Sequence, residues 1–403
     1  MGFELNNRNF QYTEFAASST SSSATVGTHT LTGWSASERY LIIANIIAGA
    51  RADGLDAGGP FEVGLSDDTG NPGGFTCDVA QQDYTNDMYA FPMIFPFDCA
   101  GLSGDPTLQI DLVLPSGTGL VTYRQSGIYP FKLLGNDQTN EDYLTAGSST
   151  DQTTFQTVTG STVTIAKDGD YFVLACAKVG KGETTANFNI RLALNGTTGY
   201  GDQTMRAVST TKFFPWATMK RLTLVAGDVL TVEHKVTTTG TVSTNNPSII
   251  ALYADDLANL LTIEDTADGS AATVATAGTW KDHNNMGTEY RLRAFAALLL
   301  SCAQYRRGAA AVDSSMQTLY DGTTVAESRA ESVAANTEQT HFATLALDPA
   351  TAGDHTVVQQ HQNHGTGITG AFISDGATAI IGMENNTTVQ IYGNCELYGG
   401  EIY

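Results

Sequence analysis

The densest group of potential metal ligands in the sequence is the segment DHTVVQQHQNHG, which contains His355, His361 and His364. Imidazole is a common ligand of transition metals. On an extended strand His355 and His361 share a face but lie roughly 20 Å apart, and His361 and His364 point to opposite faces. Only a three-fold axis that collects His361 from three subunits could build a site here. A polar strand face explains the pattern better, so we predict no metal and no cofactor.

Two Asp-rich turns offer the oxygen ligands that Ca²⁺ prefers. Asp67 and Asp68 lie in DDTGNPGG, and Asp265 and Asp268 lie in DTADGS. Neither segment has the spacing of an EF-hand loop. Ordinary turn formation, for which Asp and Gly are well suited, is the preferred interpretation of both segments.

Common catalytic motifs are absent from the sequence. It contains no Gly-x-Ser-x-Gly, no phosphate-binding loop and no His-Glu-x-x-His pattern. The carboxylate pairs Glu141-Asp142 and Asp255-Asp256 lie in predicted linkers. A glycosidase needs two carboxyl groups about 5–10 Å apart across a cleft, which a sequence of loops cannot establish. We therefore predict that the protein is not an enzyme, and we assign no catalytic residue.

The five cysteines are spread along the chain without a Cys-x-x-Cys pair. Their odd number and spacing indicate neither a disulfide framework nor a thiolate zinc site. Two of them stand in apolar runs, where a free cysteine acts as a small hydrophobic side chain. The five are Cys77, Cys99, Cys176, Cys302 and Cys395.

The segment RLTLVAGDVLTVEHKV reads as two strands joined at Gly227-Asp228, with His234 in the second strand. Alternation places His234 on the same face as Leu230, Val232 and Val236. No acidic or cysteine partner accompanies His234 at ligand spacing. We therefore predict that it belongs to the scaffold, at a core edge or a subunit interface.

Aromatic side chains offer the alternative of carbohydrate binding. Trp216 in FFPWATM and Trp280 in GTWKDHN are predicted to be exposed, and Tyr398 and Tyr403 lie near the end of the sequence. Such side chains could form a platform for a host glycan. Trp and Tyr are also enriched at subunit interfaces. We prefer this second explanation, in which FFPW belongs to an intersubunit core.

Composition and charge restrict the possible partners. The 403 residues are 41% hydrophobic and only 15% charged, and 42 Asp and Glu against 20 Lys and Arg give a formal net charge of −22. A field of this sign repels phosphate backbones and anionic lipid headgroups. We therefore predict no nucleic-acid partner and no membrane association. The start MGFELNN lacks the basic and apolar regions of a signal peptide, so we expect synthesis in a cytoplasm.

The elements that would carry these residues recur three times. The middle part of the chain contains four such runs in order: GDYFVLACAKVG, FNIRLALNGT, MKRLTLVAGDVLTVEHKV and PSIIALYAD. Runs of the same kind follow in the same order after RYLIIANIIAG in the first part of the chain and after YRLRAFAALLLSCAQYRRG in the last part. The runs are rich in β-branched and aromatic residues and are bounded by Gly, Asn, Asp and Pro, which indicates an all-β chain. We predict three tandem β-sandwich (jelly-roll-like) domains. They would span residues 28–136, 137–257 and 258–403, after an N-terminal arm over residues 1–27.

The order of DGDYFVLACAKV, FNIRLALNG, LTLVAGDVLTV and IIALYAD resembles the jelly-roll superfamily shared by the complement globular domain and the tumour-necrosis-factor proteins. The resemblance covers roughly Ser161 to Asp256. It implies a trimer around a three-fold axis lined by aromatic and aliphatic residues. In architecture and composition the chain is also similar to the jelly rolls that bacteriophage virions use as capsid-decoration, head-fibre and tail-associated proteins.

These resemblances imply a structural component of a virus particle, such as a tailed phage. The protein would be a homotrimeric decoration, fibre or spike, synthesised in the host cytoplasm and located in the virion. Its N-terminal arm would bind the major capsid protein or another virion protein by strand addition. The alternative is a receptor- or glycan-binding attachment protein or adhesin, in which aromatic residues and loop Asp residues of the last domain would bind the ligand.

Overall fold

A computed structural model describes residues 10–51, 61–67, 76–79, 88–114, 120–140, 146–182, 187–206, 213–257, 259–264, 278–282, 288–292, 296–306, 313–331, 338–347, 353–364 and 372–383. In this part of the chain the elements are β-strands, apart from one 3-10 helix at Ala254–Asp256. The predicted fold class, all-β with tandem sandwiches, is confirmed. None of the helical structure described is long and apolar enough to cross a membrane.

Nine strands make the first sandwich: β1 (Thr13–Phe15), β2 (Ser18–Thr20), β3 (Ala24–Thr30), β4 (Arg39–Arg51), β5 (Phe61–Asp67), β6 (Thr76–Val79), β7 (Tyr89–Asp98), β8 (Thr107–Val113) and β9 (Leu120–Lys132). One sheet, called the inner sheet below, has the order β1-β9-β4-β7, with β2 also paired to β9. The outer sheet has the order β3-β8-β5-β6.

Ten strands make the second sandwich: β10 (Gln138–Thr139), β11 (Gly147–Thr150), β12 (Gln156–Thr157), β13 (Val163–Thr164), β14 (Gly169–Gly182), β15 (Asn187–Leu194), β16 (Thr198–Arg206), β17 (Phe214–Leu224), β18 (Val229–Val236) and β19 (Val242–Tyr253). The inner sheet has the order β10-β19-β14-β17, with β11 also on β19. The outer sheet has the order β12-β18-β15-β16, with β13 also on β18.

Nine strands make the third sandwich: β20 (Asn259–Glu264), β21 (Lys281–Asp282), β22 (Thr288–Leu292), β23 (Ala296–Arg306), β24 (Asp313–Tyr320), β25 (Thr323–Glu331), β26 (Glu338–Leu347), β27 (Gly353–Asn363) and β28 (Phe372–Met383). The inner sheet has the order β20-β28-β23-β26. The outer sheet has the order β21-β27-β24-β25, with β22 also on β27.

The three inner sheets share one topology. A long central strand (β4, β14 or β23) lies between the last strand of its domain (β9, β19 or β28) and an edge strand (β7, β17 or β26). Pairing of the central strand with the last strand shifts register at the same place in each domain, directly after Asn45, Cys176 and Cys302. These three residues therefore occupy equivalent positions, and strand pairing repeats along with the sequence pattern.

Burial on both faces explains the continuous apolar runs of the central strands. In β14, Tyr171 and Val173 belong to the core between the two sheets of the second domain. Phe172 and Leu174, which alternate with them, belong to a different core. Successive side chains of a strand point to opposite faces. A strand that serves two cores must therefore be apolar at every position, as in a sheet covered on both sides.

This other core is shared by all three domains. It lies against the inner sheets and joins them into one apolar cluster. Each fully buried large aliphatic or aromatic side chain contributes about 1.5–3 kcal/mol, so the shared core is a major source of stability. Its members include Leu41 and Ile43 of the first domain, Phe172, Leu174 and Met219 of the second, and Leu298, Leu300 and Phe342 of the third.

The N-terminal segment differs from the predicted separate arm over residues 1–27. Strands β1 and β2 pair with β9, and β3 pairs with β8, so the chain from Thr13 onward belongs to both sheets of the first sandwich. Edge pairing uses backbone N–H and C=O groups. A Ser- and Thr-rich segment can therefore join a sheet without an apolar pattern. Residues 1–9 lie outside the described residues, and binding of a partner by the arm stays a prediction.

The chain passes from one sandwich to the next between Lys132 and Gln138 and again between Tyr253 and Asn259. Near these junctions, Asn136 Nδ2 donates a hydrogen bond of 2.8 Å to Asp256 Oδ2. One member of the predicted carboxylate pair Asp255-Asp256 therefore ties the two ends of the second domain together.

Candidate functional site

The three domains contact one another in a closed ring. The equivalent residues Asn45, Cys176 and Cys302 each donate a hydrogen bond from a buried side chain to a backbone carbonyl of another domain. The first domain donates to the third, the third to the second, and the second to the first. The bonds are Asn45 Nδ2 to Phe342 O at 3.0 Å, Cys302 Sγ to Ala217 O at 3.4 Å and Cys176 Sγ to Ile94 O at 3.2 Å.

The sheet edges follow the same cyclic order. Met88, just before β7 of the first domain, forms a bridge with Arg329 in β25 of the third domain through backbone hydrogen bonds of 2.7 and 2.8 Å. Thr340 Oγ1 in β26 of the third domain donates to Gln203 Oε1 in β16 of the second at 3.0 Å. Strand β17 of the second domain contacts β6 of the first. One chain thus forms a three-fold arrangement of jelly rolls.

The thiols of this ring are structural. Cys176 and Cys302 are buried, as is Cys99 of the first domain. Burial raises the pKa of Cys176 to about 12, and burial together with nearby carboxylates raises that of Cys99 to about 12. Protonated thiols are hydrogen-bond donors and poor nucleophiles. The side chain of Cys77 and the whole of Cys395 lie outside the described residues.

The structure separates the three histidines of the C-terminal cluster. His355 Nδ1 lies 2.6 Å from Asp321 Oδ2, and His364 Nε2 lies 2.7 Å from Ser315 Oγ. His361 is buried and shares a face of β27 with Gln359, whose amide donates to Ser301 of the inner sheet. His361 thus points into its own sandwich and not toward an axis between subunits. The described residues contain no group of three or more His, Cys, Asp or Glu that could hold a metal ion.

His234 lies inside the second sandwich. Its Nδ1 is 2.9 Å from Thr244 Oγ1, and burial lowers its pKa to about 4. A neutral, hydrogen-bonded imidazole in an apolar interior is part of the scaffold. The turn before it is held by Asp228, whose pKa is lowered by hydrogen bonds from the Val225 backbone and the Asn195 side chain.

Most of the predicted acidic positions fall where the structure gives no side-chain description. Asp67 ends β5, with its backbone opposite Leu108. Its side chain, and the whole of Asp68, Asp265 and Asp268, lie outside the described residues. The pair Glu141-Asp142 lies outside them as well. Ordinary turn formation therefore stays the preferred interpretation of the two Asp-rich segments.

The two tryptophans that were predicted to be exposed have different environments. The prediction was wrong for Trp216, which is 0% exposed in the core of the second domain and donates from Nε1 to Gly201 O at 3.3 Å. It belongs to the edge strand of an inner sheet, whose side chains fill cores on both faces. Trp280 is half-buried, directly before β21 at the edge of the third outer sheet. Tyr398 and Tyr403 lie outside the described residues.

The third domain contains a buried polar network that sequence reasoning missed. His341 is fully buried, with Nε2 3.0 Å from Thr318 Oγ1 and Nδ1 2.7 Å from Ser328 Oγ. Thr318 Oγ1 donates to Ser301 Oγ at 2.8 Å, and Gln359 Nε2 donates to the same oxygen at 2.8 Å. These polar groups bond to one another where a sandwich usually has an apolar core, although Gln359 Oε1 is buried without a hydrogen-bond partner among the described residues.

Equivalent positions in the second domain are apolar. Pairing places His341 where the second domain has Trp216, and Ser301 where it has Ala175. The network residues are scattered over strands from β23 to β27, so no local spacing reveals them. The network residues can be recognised once the three domains are aligned by the register shifts of their central strands, because polar residues then stand where another domain has apolar ones.

On its outer face, the second domain covers an aromatic ring with cations. The guanidinium carbon of Arg191 lies 3.7 Å from the ring centroid of Phe155, and Lys235 Nζ lies 4.3 Å from it. Arg191 also donates from Nε and Nη2 to Glu233 Oε2, at 2.9 and 2.7 Å. A cation over an aromatic face gains about 0.5–2 kcal/mol.

The third domain replaces each of these charged residues by glutamine. Register in the two outer sheets matches, because Ile190 pairs with His234 as Met316 pairs with His361. Gln156 pairs with His234, and Lys281 pairs with His361. Trp280 therefore corresponds to Phe155. By the same register, Gln317, Gln360 and Gln362 correspond to Arg191, Glu233 and Lys235.

Comparisons with known proteins give no family. No family model and no curated protein sequence matches the chain. Among solved structures, the chain is similar to PNGase F, a glycosylasparaginase from Flavobacterium meningosepticum, at 12% identity and a TM-score of 0.32, covering 59% of this chain and 96% of that one. It is similar to a triple-jelly-roll turret protein of an archaeal virus at 10% identity and a TM-score of 0.19, covering 93% and 91%. A tandem CBM22 domain of Xyn10C from Paenibacillus barcinonensis matches at 9% identity and a TM-score of 0.17, covering 59% and 91%. At these TM-scores the likenesses carry no argument, and the fold assignment rests on the strand pairing.

Proposed function

We propose that the chain is a non-enzymatic structural component of a virus particle, such as a decoration, fibre or spike protein of a tailed phage. The observation that carries this proposal is the closed ring of three jelly-roll domains around one apolar core. Such a ring is a rigid unit, because each domain buries its inner sheet against the other two. The likeness in architecture to phage jelly rolls, stated from the sequence, agrees with this use.

The environment of the ionisable groups supports a structural role. His29, His234 and His341 have pKa values lowered by burial, and each lies inside a sandwich or at its edge. Active sites place such groups in a cleft beside a partner that transfers a proton. Here their described neighbours are hydroxyl groups: Thr13 for His29, Thr244 for His234, and Thr318 and Ser328 for His341.

The expected self-association and the expected partners remain part of the proposal. The family resemblance implies a homotrimer of the chain, and the chain itself contains three jelly-roll domains. Attachment to a capsid or other virion protein would then use residues 1–9 and the first-domain edge formed by β1 and β2. That edge joins the sheet through backbone pairing with β9, the mode by which strand addition works.

Immunogold electron microscopy tests the proposal. Antibodies raised against the recombinant chain would be applied to particles from the natural source, banded on a density gradient. We expect gold on the surface of the particles and the chain in the particle band. Recovery of the chain only in fractions free of particles would contradict the assignment.

A further inference from the structure

The outward face of the outer sheet in the third domain, here called the glutamine face, has the chemistry of a carbohydrate site. It presents Asp282, which is exposed, and the partly exposed side chains of Trp280, Gln360 and Gln362. Gln317 of β24 lies on the same face but is only 7% exposed, so it supports the others from below the surface. Asp282 pairs with Gln360, and Gln317 also pairs with Gln360. Residues opposite each other in neighbouring strands share a face of the sheet. These side chains therefore lie on one surface, away from the buried His361.

A row of hydrogen bonds crosses four of the five strands of this sheet, from β21 through β27 and β24 to β25. Gln360 Nε2 donates to Asp282 Oδ1 at 2.7 Å, and Gln317 Nε2 donates to Gln360 Oε1 at 2.6 Å. Thr324 Oγ1 donates to Gln317 Oε1 at 3.3 Å. The row fixes the orientation of each amide before a ligand arrives. Gln360, which is partly exposed, still has a second N–H and a second lone pair, which suits a sugar hydroxyl because a hydroxyl both donates and accepts.

Trp280 supplies the apolar part of the site. One side of a sugar ring presents C–H groups, which pack on the electron-rich face of an aromatic ring. In the second domain the corresponding Phe155 is covered by Arg191 and Lys235. In the third domain uncharged Gln317 and Gln362 stand at the positions of those cations, and Trp280 keeps part of its surface accessible. Because the third domain has Gln317 and Gln360 at the positions of Arg191 and Glu233, it also lacks the ion pair that those two residues form in the second domain.

We propose that the glutamine face binds a neutral glycan. A phosphorylated or acidic ligand does not fit, because the charged member of the row is Asp282 and the net charge of the chain is −22. A neutral chain of hexoses or pentoses matches both the amide row and the aromatic surface. This proposal does not depend on the chain belonging to a virus particle, and the purified full-length protein is sufficient to test it.

Affinity electrophoresis of the full chain tests this. Native gels would contain the neutral polymers dextran, galactomannan or xylan, or the acidic polymers polygalacturonate or heparin. We expect at least one neutral polymer to retard the wild-type chain, and Trp280→Ala to weaken that binding by about tenfold or more, as truncation of a central aromatic contact does. Retardation by none of the neutral polymers, or by the acidic ones alone, would overturn the proposal.

Two variants serve as matched controls. Phe155→Ala removes the corresponding ring of the second domain and should leave retardation unchanged. Gln317→Arg combined with Gln360→Glu and Gln362→Lys installs the cations of the second domain over Trp280, together with the carboxylate that pairs with the arginine, and should abolish binding without loss of folded structure in circular dichroism. Equal weakening by Phe155→Ala and Trp280→Ala would contradict a site on the third domain. If Trp280→Ala instead reduces the sedimenting mass, the face is a contact between copies of the chain and the glycan proposal is wrong.

Discussion

Asp321 and His355 of the third domain hold the positions that Asn195 and Asp228 hold in the second. Asn195 and Asp321 both have left-handed backbone, with φ of 53° and 48°. Asn195 Nδ2 donates to Asp228 Oδ1 at 2.8 Å, and Asp321 Oδ2 lies 2.6 Å from His355 Nδ1. Two different side-chain pairs therefore hold equivalent turns of the two domains to the start of equivalent strands, β18 in the second domain and β27 in the third.

Exchanging the pair should preserve this contact. Asp321→Asn combined with His355→Asp recreates the pair of the second domain, and we expect the free energy of unfolding to stay within about 1 kcal/mol of the wild type. Asp321→Ala removes the carboxylate hydrogen bonds to His355 and to the Thr356 backbone, and with them the local polar contacts that let Asp adopt left-handed backbone, at a cost of about 2–3 kcal/mol. Urea unfolding followed by fluorescence measures both. A double variant as unstable as Asp321→Ala would show that the two turns are not equivalent.

Buried histidines should make the protein sensitive to acid. Burial lowers the pKa of His29 and of His234 to about 4 and that of His341 to about 3. An unfolded chain has a histidine pKa of about 6.5. Because the folded pKa is the lower one, the stability is present above about pH 6.5 and decreases as the pH falls toward the folded values. We expect a loss of roughly 2 kcal/mol for each of these histidines between about pH 6.5 and pH 5.

The variant His341→Gln isolates one contribution to this loss. Glutamine can hydrogen-bond to Thr318 and Ser328 but takes up no proton. We expect lower stability at neutral pH and a smaller decrease between about pH 6.5 and pH 5, by roughly 2 kcal/mol. Urea midpoints at several pH values provide the measurement. An unchanged pH dependence would mean that the pKa of His341 is the same in the folded and unfolded chain, which would contradict the lowering by burial.

The three buried thiols, two of which lie at contacts between domains, should resist alkylation. Cys99, Cys176 and Cys302 are buried, and raised pKa values keep Cys99 and Cys176 protonated at neutral pH. Iodoacetamide should leave the peptides of all three unmodified in the native protein and label them in urea. Peptide mass spectrometry distinguishes them from Cys77 and Cys395. Native labelling of Cys176 at the rate of a free thiol would rule out the contact with Ile94.

The hydrogen bond from Asn45 should matter more than a surface polar contact. Asn45→Ala leaves the carbonyl of Phe342 without this donor in a buried interface, which costs about 1–3 kcal/mol. Asn189→Ala, on the outer sheet of the second domain, is the matched control and should cost less. Denaturant unfolding compares the two variants. Similar losses would mean that the domain interface tolerates an unpaired carbonyl.

The shared core predicts that the domains do not separate. Removing residues 258–403 would expose Phe172, Leu174 and their neighbours, and we expect the remainder to aggregate or to bind hydrophobic dyes. Calorimetry of the full chain should show one cooperative transition. If the proposed homotrimer forms, the chain sediments at about three times the mass of one chain, which is 42.6 kDa; sedimentation at the mass of one chain would contradict that part of the proposal.

The order of the elements could be predicted from the sequence, because long apolar runs such as RYLIIANIIAG recur at the start of each domain. The alternation in β18 correctly placed Leu230, Val232 and His234 on one buried face. Exposure of Trp216 was predicted wrongly, because a short aromatic run does not reveal that its strand faces cores on both sides. The interdomain bonds of Asn45 and Cys302 could not be predicted either, since they join residues about 300 and 85 positions apart, and only strand register relates them.

A unit made of three identical jelly rolls must display every surface three times, and any mutation enters all three copies together. The ring of unlike domains escapes this constraint, because the third domain has Gln317 and Gln360 at the positions where the second domain has Arg191 and Glu233. Of the second and third domains, whose outer sheets match in register, only the third carries the glutamine face among the described residues. The valency of any surface that the chain decorates is then set by how many chains are attached, and not by the symmetry of the chain itself.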